Sequence, residues 1–114
     1  MSGSSLIVEH CIFKNNDEEA IRCDNNVSLQ VKNTLMNGGR FGVSANYGGS
    51  TITIENSTIV NMWETAISIR YSTNLKVANS ILDGNGTSIH YWSGSTYNSL
   101  EVHHNLITGE LISD

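Results

Sequence analysis

Five segments of the chain alternate apolar and polar positions in the same way. Their first and third residues are Leu, Ile or Val, and the second is polar in all but the first segment: Leu6-Ile7-Val8, Leu29-Gln30-Val31, Ile52-Thr53-Ile54, Leu75-Lys76-Val77 and Leu100-Glu101-Val102. This period of two residues is typical of a β-strand with one buried face. The segments start 23, 23, 23 and 25 residues apart. Because a unit this short cannot bury its own apolar face, the repeat predicts turns of chain stacked on one another.

Three further apolar columns follow the first strand of the repeat. The eighth position of every unit is apolar: Phe13, Met36, Ile59, Leu82 and Ile107. About a dozen residues later, a second motif places apolar residues at matching positions: Ile21, Val43, Ile67 and Ile89, followed two residues on by Cys23, Ala45, Ile69 and Tyr91. Bends rich in Asn, Gly and Ser separate these runs, so we expect three short strands in each turn.

Asparagine marks the end of the first strand in three of the five units. The fifth position of the units holds His10, Asn33, Asn56, Asn79 and His104. Asparagine tolerates the left-handed backbone that a sharp bend requires. In turns stacked about 4.8 Å apart, the three asparagines could also hydrogen-bond to one another through their side chains. The sequence therefore predicts an asparagine ladder.

The repeat resembles a known one. Segment 52–61, ITIENSTIVN, has the motif I-x-I-x-N-x-x-I-x-N in full and is similar to the parallel β-helix repeat of pectate-lyase-like proteins. The resemblance covers roughly residues 6–109 and implies an all-β, single-domain, right-handed parallel β-helix of about four to five rungs, in agreement with the handedness of parallel crossovers. This superfamily includes pectate lyases, polygalacturonases and phage tailspikes, so the fold alone does not select a function.

The length of 114 residues fits one domain. We expect residues 1–5 to be a disordered segment or tag, residues 6–109 to form the β-helix, and residues 110–114 to be a C-terminal tail. Neither end shows the amphipathic helix that usually caps a solenoid. We therefore expect either a fragment of a longer β-helix or ends covered by a second copy, with the tail as a minimal plug in a third interpretation.

Charge and hydropathy exclude some partners. The net charge is −5 with only six Lys and Arg, so we expect no nucleic acid partner, and an anionic polymer would be repelled on average. No apolar run reaches membrane-spanning length, and the first residues do not resemble a signal peptide. The expected compartment is the cytoplasm by default, or the exterior if the chain is a fragment. Cys23, at an inward position, reads as a small buried hydrophobe.

One strand face is the candidate binding surface. In pectate-lyase-like enzymes the sugar lies along the strands that correspond here to residues 20–23, 42–45, 66–69 and 88–92. Alternation places mostly small residues outward, with three larger ones, which predicts a shallow trough: Ala20, Arg22, Gly42, Ser44, Ala66, Ser68, Ser88, His90 and Trp92. Aromatic and basic residues flank this trough and suit stacking on sugar rings. We predict carbohydrate contact by Arg22, Trp63, Arg70, Tyr71 and Trp92; the alternative is that these rings only cover loop backbone.

Catalysis is a second hypothesis. Glu64 and Asp83 occupy loops on adjacent rungs and could form the carboxylate pair of a glycosidase, with His90 as proton shuttle. The superfamily's hydrolases carry closely spaced Asp pairs on the strand itself, and none occurs here. Strand alternation should point His103 and His104 to opposite faces, so we expect no metal site and no cofactor.

Self-association is suggested by the seventh position of the units. Four of its five residues are large aliphatics next to an inward column: Ile12, Leu35, Ile81 and Leu106, with Thr58 as the fifth. Alternation puts them outside as an apolar stripe, unless a shifted bend turns them inward. The sequence thus predicts a non-catalytic β-helix module that forms a homo-oligomer, most simply a dimer, and contacts carbohydrate. The alternatives are a degenerate or incomplete polysaccharide lyase or glycoside hydrolase, and a segment of a surface adhesin or tailspike.

Overall fold

The strands recur in the order that the repeat predicts. The structure, a computed structural model, describes residues 4–47, 49–71, 73–91, 97–109 and 111–113. Its strands are β1 (Ser5–Glu9), β2 (Ile12–Cys23), β3 (Ser28–Lys32), β4 (Leu35–Ala45), β5 (Ser50–Glu55), β6 (Thr58–Ile69), β7 (Thr73–Ala78), β8 (Ile81–Asp83), β9 (Thr87–Tyr91), β10 (Tyr97–His103), β11 (Leu106–Ile107) and β12 (Leu111–Ser113). Every pairing between these strands is parallel.

Two parallel sheets enclose the core. The five-stranded sheet has the order β1-β3-β5-β7-β10, and the seven-stranded sheet has the order β11-β8-β6-β4-β2, with β9 beside β6 and β12 beside β9. Like positions of successive units lie side by side: Leu6, Leu29, Ile52, Leu75 and Leu100 form one register column. The chain is therefore an all-β parallel solenoid of about four turns, as predicted.

The second and third strands of each turn are continuous over much of the chain. β2, β4 and β6 each run through both predicted strands, and the fourth turn divides them into β8 and β9. The long strands bend at the tenth position of the units, where the backbone has positive φ in every turn: Asn15, Gly38, Asn61, Gly84 and Gly109. Asn and Gly are the residues that adopt this conformation at least cost. Register irregularities follow these bends, between Asn16 and Glu19 and between Gly39 and Phe41.

The asparagine column stands in single file. All five residues at this position have φ between 50° and 57°: His10, Asn33, Asn56, Asn79 and His104. Their backbone N–H groups donate to the adjacent turn, as from Asn33 to the Glu55 carbonyl at 3.2 Å. Their side chains are exposed, and the hydrogen bonds between turns that the described part of the chain shows for this column are made by the backbone. The left-handed bend accounts for asparagine here.

A side-chain ladder lies one residue further on. The backbone N–H of Thr34 donates to Ser57 Oγ at 3.2 Å, and that of Ser57 donates to Ser80 Oγ at 3.2 Å. The N–H of Ser80 in turn donates to Asn105 Oδ1 at 2.8 Å. Each hydroxyl also donates to the carbonyl two residues before it, at 2.9 Å. Because Thr34, Ser57 and Ser80 are buried, this hydroxyl ladder satisfies polar groups that would otherwise be costly inside the solenoid.

The core fills the space between the sheets. Ile54, Ile59 and Ile67 are completely buried, and each such side chain contributes about 1.5–3 kcal/mol before chain entropy is subtracted. Cys23 is buried as predicted, and both Cys23 and the exposed Cys11 are free thiols. The burial of Cys23 raises the pKa of its thiol.

Three outward assignments were wrong. Ala66 belongs to the buried core and Ala20 packs against it, and a Cβ on Gly42 would lie 2.8 Å from Ile59 Cγ2. These three positions therefore face the interior. The register irregularity between Gly39 and Phe41 interrupts strand alternation just before this point, so Phe41 takes the outward place that the sequence assigned to Gly42.

The last turn differs from expectation in one respect. His103 and His104 do not point apart, since their Nδ1 atoms lie 2.8 Å apart and their rings meet edge to face. The reason is the φ of 57° at His104, which ends the alternation of the strand. β12 lies within the segment assigned to the C-terminal tail, and it pairs with β9.

Among the residues described, no helix is long and apolar enough to span a membrane.

Candidate functional site

The trough forms on the outer face of the seven-stranded sheet. Parallel register places Arg22, Ser44, Ser68 and His90 in one column across β2, β4, β6 and β9. Ser44 and Ser68 form its floor because their short side chains leave space above the sheet. The depression has a volume of about 300 Å³, which is within the lower range of ligand sites.

Two walls rise beside this floor. The lining residues are Glu18, Glu19, Arg22, Arg40, Phe41, Ser44, Asn46, Tyr47, Ser68, Arg70 and Tyr71. All three arginines of the chain are among them. Glu18 and Glu19 come from the bend in β2, whereas Arg70 and Tyr71 follow the end of β6. The site therefore combines residues from three successive turns.

Arg40 connects the three turns. Its Nη1 donates to Glu18 Oε2 at 3.1 Å, while its Nε and Nη2 donate to Glu64 Oε1 at 3.3 and 3.2 Å. The guanidinium carbon also lies 4.9 Å from the ring centre of Phe41 and 5.4 Å from that of Trp63. These two carboxylates, Glu64 before Glu18, raise the pKa of Arg40. Such exposed pairs add little stability, but together they fix the guanidinium in place.

Arg22 is also paired. Its Nε donates to Asp24 Oδ1 at 3.0 Å. This hydrogen bond is the main reason that the pKa of Asp24 lies below its ordinary value and that of Arg22 above it. Arg22 and Arg40 therefore enter the trough with their charges already compensated by carboxylates of the same chain.

Tyr47 and Tyr71 form the aromatic edge of the trough. Their ring centres are 6.1 Å apart and their planes differ by 5°, an offset stack of rings from successive turns. The residues are 49% and 55% exposed, so part of each ring remains accessible to a ligand. Aromatic surface beside a few polar groups is a common composition of a ligand pocket.

The predicted binding residues are partly assembled here. Arg22, Arg70 and Tyr71 line the trough, and Trp63 lies outside its lining with Arg40 over its ring. Trp92 lies outside the described residues. The sequence analysis did not select Arg40, Phe41 or Tyr47 as site residues. A signal was present, since Glu18, Arg40 and Glu64 are separated by 22 and 24 residues, close to one repeat.

The three candidate catalytic residues have different neighbours. Glu64 accepts hydrogen bonds from Arg40, whereas Asp83 accepts one from the Thr108 hydroxyl. Asp83 pairs in register with Val60, four positions before Glu64, and His90 follows Ser68 at the end of the trough column. Their catalytic roles stay predictions. Within the described ranges, no three His, Cys, Asp or Glu side chains are grouped as a metal site requires.

The apolar stripe lies on the outside of the bend after the first strand. Ile12, Leu35, Thr58, Ile81 and Leu106 form one register column. Ile12 is 66% exposed, Ile81 40% and Leu106 58%, and Leu35 is half-buried. A groove lined by Cys11, Ile12, Thr34 and Leu35 runs beside it. This arrangement is compatible with an interface, and self-association itself stays a prediction.

Comparison with known proteins gives one result. A family model described as a right-handed beta helix region matches residues 1–110, which include β1 to β11 in full. The match and the parallel topology confirm the predicted right-handed β-helix. Comparisons with curated proteins and with solved structures found no match. A fold of this kind is compatible with many activities, so the evidence on function comes from the trough and the stripe.

Proposed function

This chain belongs to the right-handed β-helix family, and on that premise we propose that it is a non-catalytic module that binds carbohydrate in the trough and associates with a second copy of itself. The stacked pair of Tyr47 and Tyr71 beside the serine floor carries the first part of the proposal. Successive rungs lie about 4.8 Å apart, a spacing comparable to one pyranose unit. A sugar chain running along the solenoid axis would therefore advance about one unit per rung and meet equivalent surfaces at the two rungs that hold Ser44 with Tyr47 and Ser68 with Tyr71.

The tyrosine edge and the opposite side of the trough, which holds Arg40, would act differently on such a ligand. The C–H face of a pyranose packs on an aromatic ring at little entropic cost, because Tyr loses few rotatable bonds on binding. Ser44 and Ser68 are only 3% and 2% exposed, and Ser44 already donates to Asn46 Oδ1, so the floor would set the shape of the trough and contribute few hydrogen bonds to a sugar. Arg40, fixed by Glu18 and Glu64, would keep the opposite wall in place without rearrangement on binding. A preorganised wall lowers the entropic cost of association.

Replacing Tyr71 tests carbohydrate binding. We expect Tyr71→Ala to weaken retention on the bound glycan about two- to tenfold, since one aromatic contact contributes about 0.5–1.5 kcal/mol. Tyr71→Phe should bind nearly as well because it keeps the ring. The measurement is titration calorimetry with a ligand first identified on a glycan array, with circular dichroism to show that both variants fold. If the wild-type chain binds nothing on the array, the carbohydrate proposal is wrong.

The apolar stripe supports self-association. Ile12 and Leu106 stand at its two ends and are more than half exposed, and a column of exposed aliphatics, interrupted here by Thr58, is a feature of interfaces. We expect a dimer in sedimentation at micromolar concentration and at least tenfold weaker association in Ile12→Lys/Leu106→Lys. Ile7→Lys is the matched control, because Ile7 is 59% exposed on the five-stranded sheet. A wild-type chain that is monomeric at high micromolar concentration would contradict this part of the proposal.

A further inference from the structure

We propose that the trough selects uncharged sugar chains and discriminates against carboxylated ones such as polyuronates; the inference rests on the proposed carbohydrate binding. Three arginines in one depression suggest an anion site at first sight. The geometry points the other way, because Arg22 and Arg40 are each bonded to carboxylates of the same chain. The lining contains Glu18 and Glu19, and Asp24 and Glu64 are bonded directly to the lining arginines. Four carboxylates therefore face three guanidinium groups.

Arg40 is poorly available to an anionic ligand. A carboxylate is held best by two parallel N–H donors of one guanidinium. In Arg40, Nη1 already donates to Glu18, whereas Nε and Nη2 already donate to Glu64. A ligand carboxylate would have to displace one of these partners and then lie beside a negative charge that has lost its own partner. Binding would therefore replace one ion pair of Arg40 by another and add repulsion between the ligand carboxylate and the displaced glutamate.

Arg22 and the overall charge act in the same direction. The Nε of Arg22 donates to Asp24. A ligand carboxylate therefore cannot form a two-donor contact that uses this nitrogen. At longer range the chain carries a net charge of −5, which slows the approach of an anionic polymer at low ionic strength. An uncharged chain meets neither penalty.

Apart from the charged side chains of Glu19 and Arg70, the remaining lining is uncharged. Ser44 and Ser68 form a floor that is almost fully buried, at 3% and 2% exposed, and the edge offers the rings of Tyr47 and Tyr71. Ring stacking does not depend on ligand charge. The parts of the trough that could contribute affinity are thus those that recognise a neutral sugar, and the charged wall opposes its anionic counterpart.

The test uses ligand pairs that differ only in charge. Galacturonan oligomers with free carboxylates and the same oligomers after methyl esterification are compared with neutral glucan and galactan oligomers by titration calorimetry in low salt. We expect the tightest ligand to be uncharged and to bind at least tenfold better than any carboxylated oligomer. The double variant Glu18→Gln/Glu64→Gln frees Arg40. In this variant, the ratio of the affinity for uncharged oligomers to that for carboxylated oligomers should fall at least tenfold.

The control separates local from global charge. Glu9→Gln/Glu55→Gln removes the same two charges from the five-stranded sheet, and it should leave the preference unchanged. Binding of carboxylated oligomers as tight as that of uncharged ones would overturn the inference while leaving carbohydrate binding intact. An equal change in both double variants would also overturn it, since the cause would then be net charge. Binding of no oligomer at all would overturn the inference together with the proposed function.

Discussion

Replacing Ile54 by alanine is expected to lower the free energy of unfolding by about 2–5 kcal/mol. Ile54 is completely buried in β5, between Val31 and Val77 of the adjacent turns. Removing its three outer carbons leaves a void that neighbouring turns cannot close, because their spacing is fixed by backbone hydrogen bonds of the sheet. The measurement is urea unfolding followed by circular dichroism.

Ile7→Ala is the matched control. Ile7 lies in β1 of the same sheet, but it is 59% exposed, and its register column runs through Gln30 and Thr53 on the outer face. The same truncation should therefore cost less than about 1 kcal/mol. If the two variants lose equal stability, the interior is not the packed column that the register describes. A much larger loss in Ile7→Ala would mean that this outer face is covered.

Much of the fold could be predicted because a repeat constrains both sequence and structure. The period of two residues determines which face of β5 is buried, and the spacing of 23 residues determines that Ile54 lies beside Val31 and Val77. The left-handed bend at Asn56 could be predicted as well, since few residues other than Asn and Gly adopt it readily. Strand alternation and the left-handed bend depend on local sequence, and the repeat places them at equivalent positions in successive turns.

The hydroxyl ladder could not be predicted in the same way. Thr34, Ser57 and Ser80 read in the sequence as ordinary bend residues, because Ser and Thr are common in bends whether exposed or buried. Whether they face inward depends on how the left-handed residue before them redirects the chain. That direction is a property of the stacked backbone. The sequence analysis therefore assigned the ladder to the asparagines one position earlier.

The trough was predicted in outline but not in composition. Alternation correctly placed Ser44 and Ser68 on its floor, since β4 and β6 are regular there. It failed near Gly39, where the register irregularity brings Phe41 into the wall. Long side chains such as Arg40 reach across turns, and neither periodicity nor propensity records which carboxylate they meet. The paired state of the arginines, on which the ligand preference depends, is thus a result of the three-dimensional structure.

Replacing Ser57 by alanine removes a single oxygen atom, yet it should lower the free energy of unfolding considerably. The Thr34 N–H donates to Ser57 Oγ in a buried position, and without this acceptor it would be left unsatisfied at a cost of about 1–3 kcal/mol. The Glu55 carbonyl would lose one of its two donors and keep the Asn33 N–H. Urea unfolding measures the total loss. Hydrogen exchange at the Thr34 amide measures the local part, and it should become at least tenfold faster relative to the Asn33 amide, whose acceptor is the Glu55 carbonyl.

Ser57→Thr is the control because the chain already uses threonine at this position, in Thr34. Its hydroxyl donates to Lys32 in the same way as that of Ser57 donates to Glu55, so the added methyl group is compatible with the bend. We expect this variant to retain most of its stability and its slow exchange at Thr34. If the alanine and threonine variants were equally stable, the backbone alone would hold the turns together. If only the alanine variant is destabilised, the side-chain hydroxyls are a second set of bonds between turns, in addition to the parallel sheets.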